Sequence, residues 1–291
     1  MSQLTAIGNA LRFVEEHLRQ EIAVADMAEA AGYSLYHFSR TFNGLVHHTP
    51  YDYLIRRRLS ESARDLIETD RLIIDVALDY RFNNPETYSR AFKRMFEMQP
   101  SQWKQRAQLD GRLLMTPLTQ KHLLHINKGD SLRPALVEKS AFLVAGVMTL
   151  MEPGQEVAPR LWDLLRTELA RADELRSEGE WYGLTWYPED WVERGKLYMA
   201  CAAIDAADAT SAALVTKHVP PARYASFNHN GRRADLKLTR DYIYQIWLPK
   251  SNEGLACALE IEYYGKTLDA IQADGESEIL IPIKKKGESY A

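Results

Sequence analysis

The first hundred residues repeat their hydrophobic side chains at helical spacing. One such face is formed by Ile7, Leu11, Val14 and Leu18, which follow one another at steps of three and four residues. Polar capping residues and prolines at first-turn positions mark the starts of three longer helices, predicted over residues 35–45, 50–68 and 85–96. Together with shorter periodic segments, this pattern predicts seven helices between residues 1 and 106.

The pattern changes after residue 106. Residues 107–134 lose the periodicity and contain Pro117, Gly129 and Pro134, which indicates a linker with room for one short strand. Beyond it, a β-α-β-β order is predicted over residues 142–204, with its helix at 159–176, and again over 214–283, with a strand at 214–227 and a helix at 236–248. The predicted fold is thus multidomain: an all-α seven-helix domain over 1–106, a linker over 107–134, and an α+β domain of duplicated β-α-β-β units over 135–291.

A shorter duplication lies within the helical half. The tetrapeptides SRTF and SRAF begin at Ser39 and Ser89, fifty residues apart. Upstream of each tetrapeptide, an alanine lies four residues before a turn, and an aromatic residue comes directly after that turn. This is the layout of a helix-turn-helix, whose second helix enters the major groove of DNA. The helix predicted over 50–68 would be about 28 Å long, close to the ~34 Å between successive major grooves on one DNA face.

Aromatic residues at i and i+4 in both second helices should face the core and turn the polar residues outward. Arginine can contact guanine with two hydrogen bonds, while serine and tyrosine reach phosphates or base edges. The predicted DNA-binding residues are Tyr36, His37, Ser39, Arg40, Glu86, Ser89, Arg90 and Lys93.

Charge supports DNA binding only locally. Residues 1–106 carry 14 basic and 14 acidic side chains, whereas residues 135–291 carry 18 and 24, so the second half accounts for the negative net charge. Residues 81–106 contain six basic side chains against two acidic ones, which favours a local contact with nucleic acid. The run Arg56-Arg57-Arg58 covers about 200° of a helix, so we expect a mostly solvated face with one or two phosphate contacts.

Composition excludes several classes of protein. No run of eighteen apolar residues is present, and Glu15 and Glu16 interrupt the N-terminus, so neither a membrane span nor export is expected and the location is predicted to be cytoplasmic. Two cysteines are too few for a disulfide framework. The pairs His47-His48 and His122-x-x-His125 have no acidic or cysteine partner at ligand spacing, so no metal and no cofactor is expected.

The second half concentrates its aromatic residues in predicted strands and in the helix that covers them. In the strand LEIEYY, Glu260 and Glu262 share one face, and a carboxylate among aromatic rings attracts flat cations by charge and by cation–π contact. The sequence therefore predicts a site for a cationic, partly aromatic small molecule. Its predicted ligand-binding residues are Glu262, Tyr264, Tyr182, Trp186 and Trp247.

Two resemblances carry these interpretations further. Residues 7–106 resemble the DNA-binding domain of AraC/XylS-type transcriptional regulators in AEAAGYSLYHFSRTF, IDVALDYRF and SRAFKRMF…QPSQW. The resemblance assigns Tyr36, Ser39 and Arg40 to one groove, and the corresponding residues of the second copy to the next. The chain departs from the family at three turns, where His47, Arg81 and Glu97 replace frequent glycines.

Residues 136–286 resemble the gyrase-inhibitor-like effector-binding domain in WYGLTW, ARYASFNHNG, YIYQIWLPKS, LEIEYYG and EILIPIK. The order of the two domains is similar to that of Rob-type (right-origin-binding) regulators. The resemblances imply a transcriptional regulator that binds two adjacent major grooves of duplex DNA, senses a small-molecule effector and contacts RNA polymerase. Two alternatives stay open: the second domain could bind a protein, or act as a hydrolase with Glu262 and Tyr264. A non-enzyme is favoured, because no nucleophile–base pair is recognisable.

Overall fold

The computed structural model describes residues 2–106, 111–127, 132–152, 154–171, 179–188, 194–205, 213–266 and 275–286. The chain separates into two compact units. The first comprises Met1–Gly129 together with Asp241–Lys250, and the second comprises Asp130–Arg240 together with Ser251–Ala291.

The seven helices predicted for the first half are confirmed. They are α1 (Gln3–Glu16), α2 (Val24–Ala30), α3 (Leu35–Val46), α4 (Pro50–Glu68), α5 (Ile73–Asp79), α6 (Pro85–Phe96) and α7 (Pro100–Arg106). Polar caps begin the longer ones as expected: the side chains of Ser34, Thr49 and Asn84 accept hydrogen bonds from backbone N–H groups in the first turns of α3, α4 and α6.

The segment after α7 differs from the prediction. In its described part, residues 111–127 contain no strand but a helix, α8 (Gln120–Ile126). Thr119 is the N-cap of this helix, and its backbone N–H donates to the Nδ1 atom of His122 at 3.1 Å. Leu123 and Ile126 are buried at helical spacing. Two helix-spaced apolar residues after a threonine cap were the signal that the linker interpretation missed.

The first unit has two separate hydrophobic cores, one for each helix-turn-helix. Phe38 and Phe42 of α3 pack in the first core, and Tyr88 and Phe92 of α6 pack in the second. Helix α4 contributes to both: its N-terminal half supplies Tyr53 and Leu54 to the first core, and its C-terminal half supplies Leu59, Ala63 and Leu66 to the second. A single helix thus joins two similar packing units.

The three positions where the chain lacks the family's glycine have left-handed backbone. His47, Arg81 and Glu97 are the non-glycine residues with positive φ in the described part of the chain, at 58°, 64° and 57°. His47 and Glu97 each end the second helix of a helix-turn-helix, and Arg81 lies in the turn of the second copy. The turn geometry is therefore kept without glycine.

The second unit is built on a nine-stranded antiparallel sheet. Its strands are β1 (Ala135–Lys139), β2 (Phe142–Met151), β3 (Trp181–Trp186), β4 (Lys196–Ile204), β5 (Val215–Val219), β6 (Ala222–Gly231), β7 (Glu253–Leu255), β8 (Leu259–Tyr263) and β9 (Gly275–Lys285). The order is β1-β6-β9-β8-β3-β4-β2-β5, and β7 pairs with β9. The helices are α9 (Ala158–Arg171), a 3₁₀ turn (Arg233–Asp235) and α10 (Leu236–Tyr242), followed by a π-helical turn (Ile243–Trp247) and a last turn (Leu248–Lys250).

The duplicated β-α-β-β order is confirmed as β2-α9-β3-β4 and β6-α10-β8-β9, with the short strand β7 inserted between α10 and β8 in the second repeat. The predicted strand over 214–227 is instead two strands, because Pro220 and Pro221 cannot donate to a ladder and so interrupt it. The two parts pair with different neighbours, β5 with β2 and β6 with β1 and β9. The end predicted for the first helix, residues 172–176, lies outside the described residues. None of the helices described is both long and apolar enough to cross a membrane.

Candidate functional site

Helices α3 and α6 have the same pattern of buried and exposed positions at an offset of fifty residues. Over all twelve positions, buried, half-buried and exposed residues occur in the same order in the two helices. The buried positions are the aromatic pairs and the last residue of each helix. All eight predicted DNA-binding residues are exposed or half-buried, and six of them lie at matching positions of the two helices: Tyr36 and Glu86, Ser39 and Ser89, Arg40 and Arg90. The other two, His37 and Lys93, are exposed.

The exposed face of α3 is organised by one side-chain pair. The Arg40 guanidinium donates to the Tyr36 hydroxyl at 3.2 Å and lies 5.8 Å from the centre of its ring. Tyr36 is 73% exposed, whereas tyrosine side chains in folded proteins are usually at least partly buried. The Ser39 hydroxyl donates to the backbone carbonyl of Leu35 at 2.8 Å. An exposed aromatic residue beside an arginine suits contact with bases and phosphates.

The expectation that Arg56-Arg57-Arg58 forms a mostly solvated face is wrong. Arg57 is buried, and its guanidinium donates to Glu15 at 2.7 Å and to Glu61 at 2.9 Å. Arg58 is also buried and donates to the backbone carbonyl of Leu18 at 2.9 Å. Helical spacing shows only that the three side chains point in different directions. It does not show which neighbours meet them. Here all three bind protein atoms, since the Arg56 guanidinium also donates to the Asp52 carboxylate at 2.9 Å.

The second unit buries a charged cluster on one face of its sheet. Glu260 and Glu262 of β8 are 0% and 4% exposed, and the Arg240 guanidinium of α10 donates to both carboxylates. The other oxygen of Glu262 accepts hydrogen bonds from the hydroxyls of Tyr198, at 3.1 Å, and of Tyr264. We call these five residues the carboxylate cluster. Each oxygen of Glu262 has a donor, as a buried carboxylate requires.

These contacts keep Glu262 ionised at neutral pH. Burial alone would raise the pKa of Glu262, but the charges of Arg240 and Arg233 and the hydrogen bonds from Tyr264 and Tyr198 hold that pKa below its ordinary value. Burial raises the pKa of Tyr264 well above its ordinary value, and the nearby charge of Glu262 adds to this effect. The cluster therefore holds an anion and a neutral phenol that donates to it.

Two aromatic rings form a corner beside the cluster. The rings of Trp162, from α9, and Tyr264 are 5.4 Å apart and nearly perpendicular, at 82°. The Trp162 indole donates to the Tyr198 hydroxyl at 3.1 Å. We call Trp162 and Tyr264 the aromatic corner. A carboxylate next to two ring faces or edges is the chemistry that binds an organic cation.

Gly183 of β3 makes room for this arrangement. It lies opposite Glu262 in the β3–β8 ladder. A side-chain carbon at this position would lie 2.6 Å from both the Glu262 carboxylate and the Tyr198 hydroxyl, which is too close. The glycine of the WYGLTW motif thus leaves the space that the Glu262 carboxylate and the Tyr198 hydroxyl occupy.

The structure brings together only part of the predicted ligand set. Glu262 and Tyr264 are hydrogen-bonded, but Tyr182 and Trp186 lie on the opposite face of the sheet. Paired residues in an antiparallel ladder share a face, and Tyr182 is paired with Tyr263, the neighbour of Glu262. Trp247 belongs to the segment Asp241–Lys250 of the first unit. The prediction that these residues line one site with Glu262 is corrected for Tyr182 and Trp186, because register could not be read from the sequence.

The functional residues missed in the sequence are the two arginines and the residues around them: Arg233, Arg240, Tyr198, Trp162 and Gly183. Arg240 reaches carboxylates that are 20 and 22 residues away in sequence, which no local pattern reveals. Gly183, within an aromatic strand, was a readable signal of close approach between neighbouring groups. Among the described residues, no group of three or more His, Cys, Asp or Glu side chains could hold a metal ion.

Comparison with known proteins agrees with this geometry. Residues 27–106 match the family profile described as a helix-turn-helix domain, and residues 133–284 match the GyrI-like small molecule binding domain. The chain is similar to the transcriptional regulator Rob of Salmonella typhimurium, with 36% identity over 118 residues, which are 40% of this chain and 41% of Rob. It is similar to the regulatory protein SoxS of Escherichia coli K12, with 34% identity over 106 residues, which are 36% of this chain and 99% of SoxS. A solved structure, the EcmrR C-terminal domain, aligns with a TM-score of 0.43 at 16% identity, over 53% of this chain and 98% of that one.

The chain therefore belongs to the AraC-type helix-turn-helix family of transcriptional regulators, and its second half belongs to the GyrI-like small molecule binding family. The alignment to Rob spans less than half the length of that relative. Both resemblances stated from the sequence motifs are confirmed at the level of the family.

Proposed function

We propose that this protein is a sequence-specific DNA-binding transcriptional regulator. The observation that carries the proposal is the burial pattern that α3 and α6 repeat over twelve residues, since two helices exposed in the same way fit two adjacent major grooves. The exposed residues differ between the copies at the positions of Tyr36 and Glu86, so the two half-sites should have different sequences. Contact with RNA polymerase is part of this proposal, on the strength of the family alone.

Selection of bound DNA from a random duplex pool tests the first part of the proposal. We expect an enriched site of about two helical turns with two unlike halves, and an affinity that falls steeply as salt rises. The matched control is a variant with Arg40→Ala and Arg90→Ala together, which should enrich no motif. A pool that stays random with the wild-type chain would contradict the proposal.

We further propose that the second unit senses a cationic, partly aromatic small molecule at the carboxylate cluster and the aromatic corner. The support is an ionised, buried Glu262 beside two rings. A charge-assisted contact contributes about 1.5–3 kcal/mol, so Glu262→Gln should weaken a cation by about tenfold or more. An uncharged compound of the same shape as the cation should lose much less affinity on this substitution, and calorimetric titration with both compounds measures the difference. Equal losses for the two compounds would contradict the role of Glu262.

Two other functions for the second unit are less well supported. For hydrolysis, Glu262 would have to act as a base and Tyr264 as an acid, but the low pKa of the first and the raised pKa of the second oppose both roles near neutral pH. Relatives of the chain are regulators, which favours a non-enzyme. Recognition of a protein would need no buried charge, so a Glu262-dependent titration with a small cation separates that alternative from sensing.

A further inference from the structure

Arg233 has the surroundings that a bound organic cation would have. Its guanidinium carbon lies 5.4 Å from the centre of the Tyr264 ring and 5.9 Å from that of Trp162, within the range of cation–π contact. Its Nη2 atom donates to the Tyr198 hydroxyl at 3.2 Å, and this hydroxyl donates to Glu262. Arg233 thus makes ring contacts and a hydrogen-bonded link to the carboxylate.

We propose that Arg233 is an internal cation that occupies the aromatic corner until a ligand displaces it, and that it thereby limits which cations bind and how tightly. The inference rests on the proposed sensing function, whose site it deepens. It assigns to Arg233 a role in specificity, distinct from that of Arg240.

Charge balance explains why a ligand must displace an arginine. The two carboxylates, Glu260 and Glu262, already have Arg240 and Arg233 as counter-ions, so the group carries no formal net charge. An added cation would leave an excess positive charge among partly buried guanidiniums, which is costly where water is scarce. Exchange of one cation for another keeps the neutrality.

Arg233 is better suited to leave than Arg240. Arg240 contacts both buried carboxylates directly, so its removal would leave two anions without a counter-ion. Arg233 reaches Glu262 through the Tyr198 hydroxyl and lies on a three-residue 3₁₀ turn. Its neighbour Arg232 has a side chain that is 64% exposed, so solvent is close to this turn. A long, flexible side chain there can swing into water.

The ligand class follows from the group that it replaces. A guanidinium is flat, carries one delocalised positive charge and stacks on rings. A competing ligand should have the same features on a larger apolar body, as amidinium, guanidinium and pyridinium compounds with an attached ring do.

Calorimetric titration of the full-length chain with N-methyl-4-phenylpyridinium tests the inference. We expect Arg233→Ala to bind this probe about tenfold or more tightly than the wild type. In the variant the probe no longer has to displace a guanidinium that makes cation–π and hydrogen-bonded contacts. The matched control is Arg232→Ala, which removes the same charge one residue away and should stay within about twofold of the wild type. Adding Glu262→Gln to Arg233→Ala should remove the gain.

A second arm uses the arginine head group itself. Ethylguanidinium should bind Arg233→Ala and compete there with the pyridinium probe, but should not bind the wild type in the same concentration range. Circular dichroism checks that each variant is folded. If Arg233→Ala unfolds, Arg233→Gln replaces it, because glutamine can still donate to Tyr198 without a charge.

The outcomes separate the two proposals. If the wild type binds the probe through Glu262 but Arg233→Ala and Arg233→Gln bind it no more tightly, the internal-cation role is overturned and sensing survives. If neither variant binds any cation although the corner is vacated, both the internal cation and the cationic site are overturned. A gain that Arg232→Ala reproduces would also overturn the inference, since it would reflect only the lost charge.

Discussion

Arg40 and Arg90 occupy equivalent exposed positions on the two repeated helices. Arg40 donates a hydrogen bond to Tyr36. The residue of the second helix that corresponds to Tyr36 is Glu86. Contacts of arginine with guanine edges are worth about 1–3 kcal/mol and are specific to one position of the site. The two arginines should therefore read different bases.

Alanine at either position should lower affinity for the selected DNA site by about 1–3 kcal/mol. Arg40→Ala should relax specificity in one half-site and Arg90→Ala in the other, as competition binding with single-base variants of the site would measure. The exposed Arg12 of α1, outside both repeated helices, provides a control, and Arg12→Ala should leave the half-site preferences unchanged. A loss spread evenly over all DNA sequences would make Arg40 and Arg90 phosphate contacts instead.

At Glu262, one property follows from the local sequence and another depends on the fold. Alternation along LEIEYY placed Glu260 and Glu262 on one face, as observed. That both would be buried and bound by Arg240 depends on packing between elements far apart in sequence. The alternation of residues along a strand is compatible with two solvated, exposed carboxylates and equally with two buried carboxylates neutralised by a cation.

At the scale of elements, the non-glycine residues with positive φ carry a backbone strain that the sequence already indicates. A left-handed conformation costs a non-glycine residue roughly 1–2 kcal/mol. Arg81 offsets some of this through a hydrogen bond from Nε to the Arg19 carbonyl at 2.6 Å. Glu97 is exposed at the end of α6, so it is the position where the cost should be seen most directly.

Glu97→Gly should raise the free energy of unfolding by about 1 kcal/mol, the relief of strain less the added flexibility of the unfolded chain. Urea unfolding measures the change. Glu97→Ala keeps the side-chain carbon that causes the strain, so it should stay within about 0.5 kcal/mol of the wild type. If alanine stabilised as much as glycine, the gain would come from losing the glutamate and not from the backbone.

Helices were predicted better than strand faces for a physical reason. A helix carries its caps and its periodicity in neighbouring residues, so the starts of α3, α4 and α6 could be read directly. Strand faces depend on register with partners elsewhere in the chain, and a shift of one residue exchanges the two faces. The register of β3 with β8 places Tyr182 and Trp186 on the face opposite Glu262, which the sequence pattern alone does not show.

At the scale of the whole molecule, each half contains a duplication, and both duplications can be recognised in the amino-acid sequence. The helical half repeats letters as well as pattern, whereas the sheet repeats only the order of its elements. What the sequence did not reveal is where the first folding unit ends. Residues 111–127 are part of its two cores, although they lack the periodicity of the preceding helices.

Five apolar side chains of this segment are buried, and four of them belong to the two helical cores: Leu114, Met115, Leu118 and Leu123. Two backbone N–H groups add hydrogen bonds to α4. The N–H of Met115 donates to the Ser60 hydroxyl at 2.8 Å, and that of Leu118 donates to the Tyr53 hydroxyl at 3.2 Å. Ending the chain at residue 106 would expose these surfaces of α4.

A fragment of residues 1–127 should therefore be more stable than one of residues 1–106 by several kcal/mol, because burying one such side chain contributes ~1.5–3 kcal/mol. Urea unfolding of the two fragments measures the difference. Both contain α3 and α6, so whatever folded population remains in the shorter fragment should select the same DNA site. A variant of the longer fragment with Met115→Ala and Leu118→Ala should fall between the two. Equal stability of the two fragments would mean that the segment only lies against the helical cores without supporting them, and the boundary predicted at residue 106 would stand.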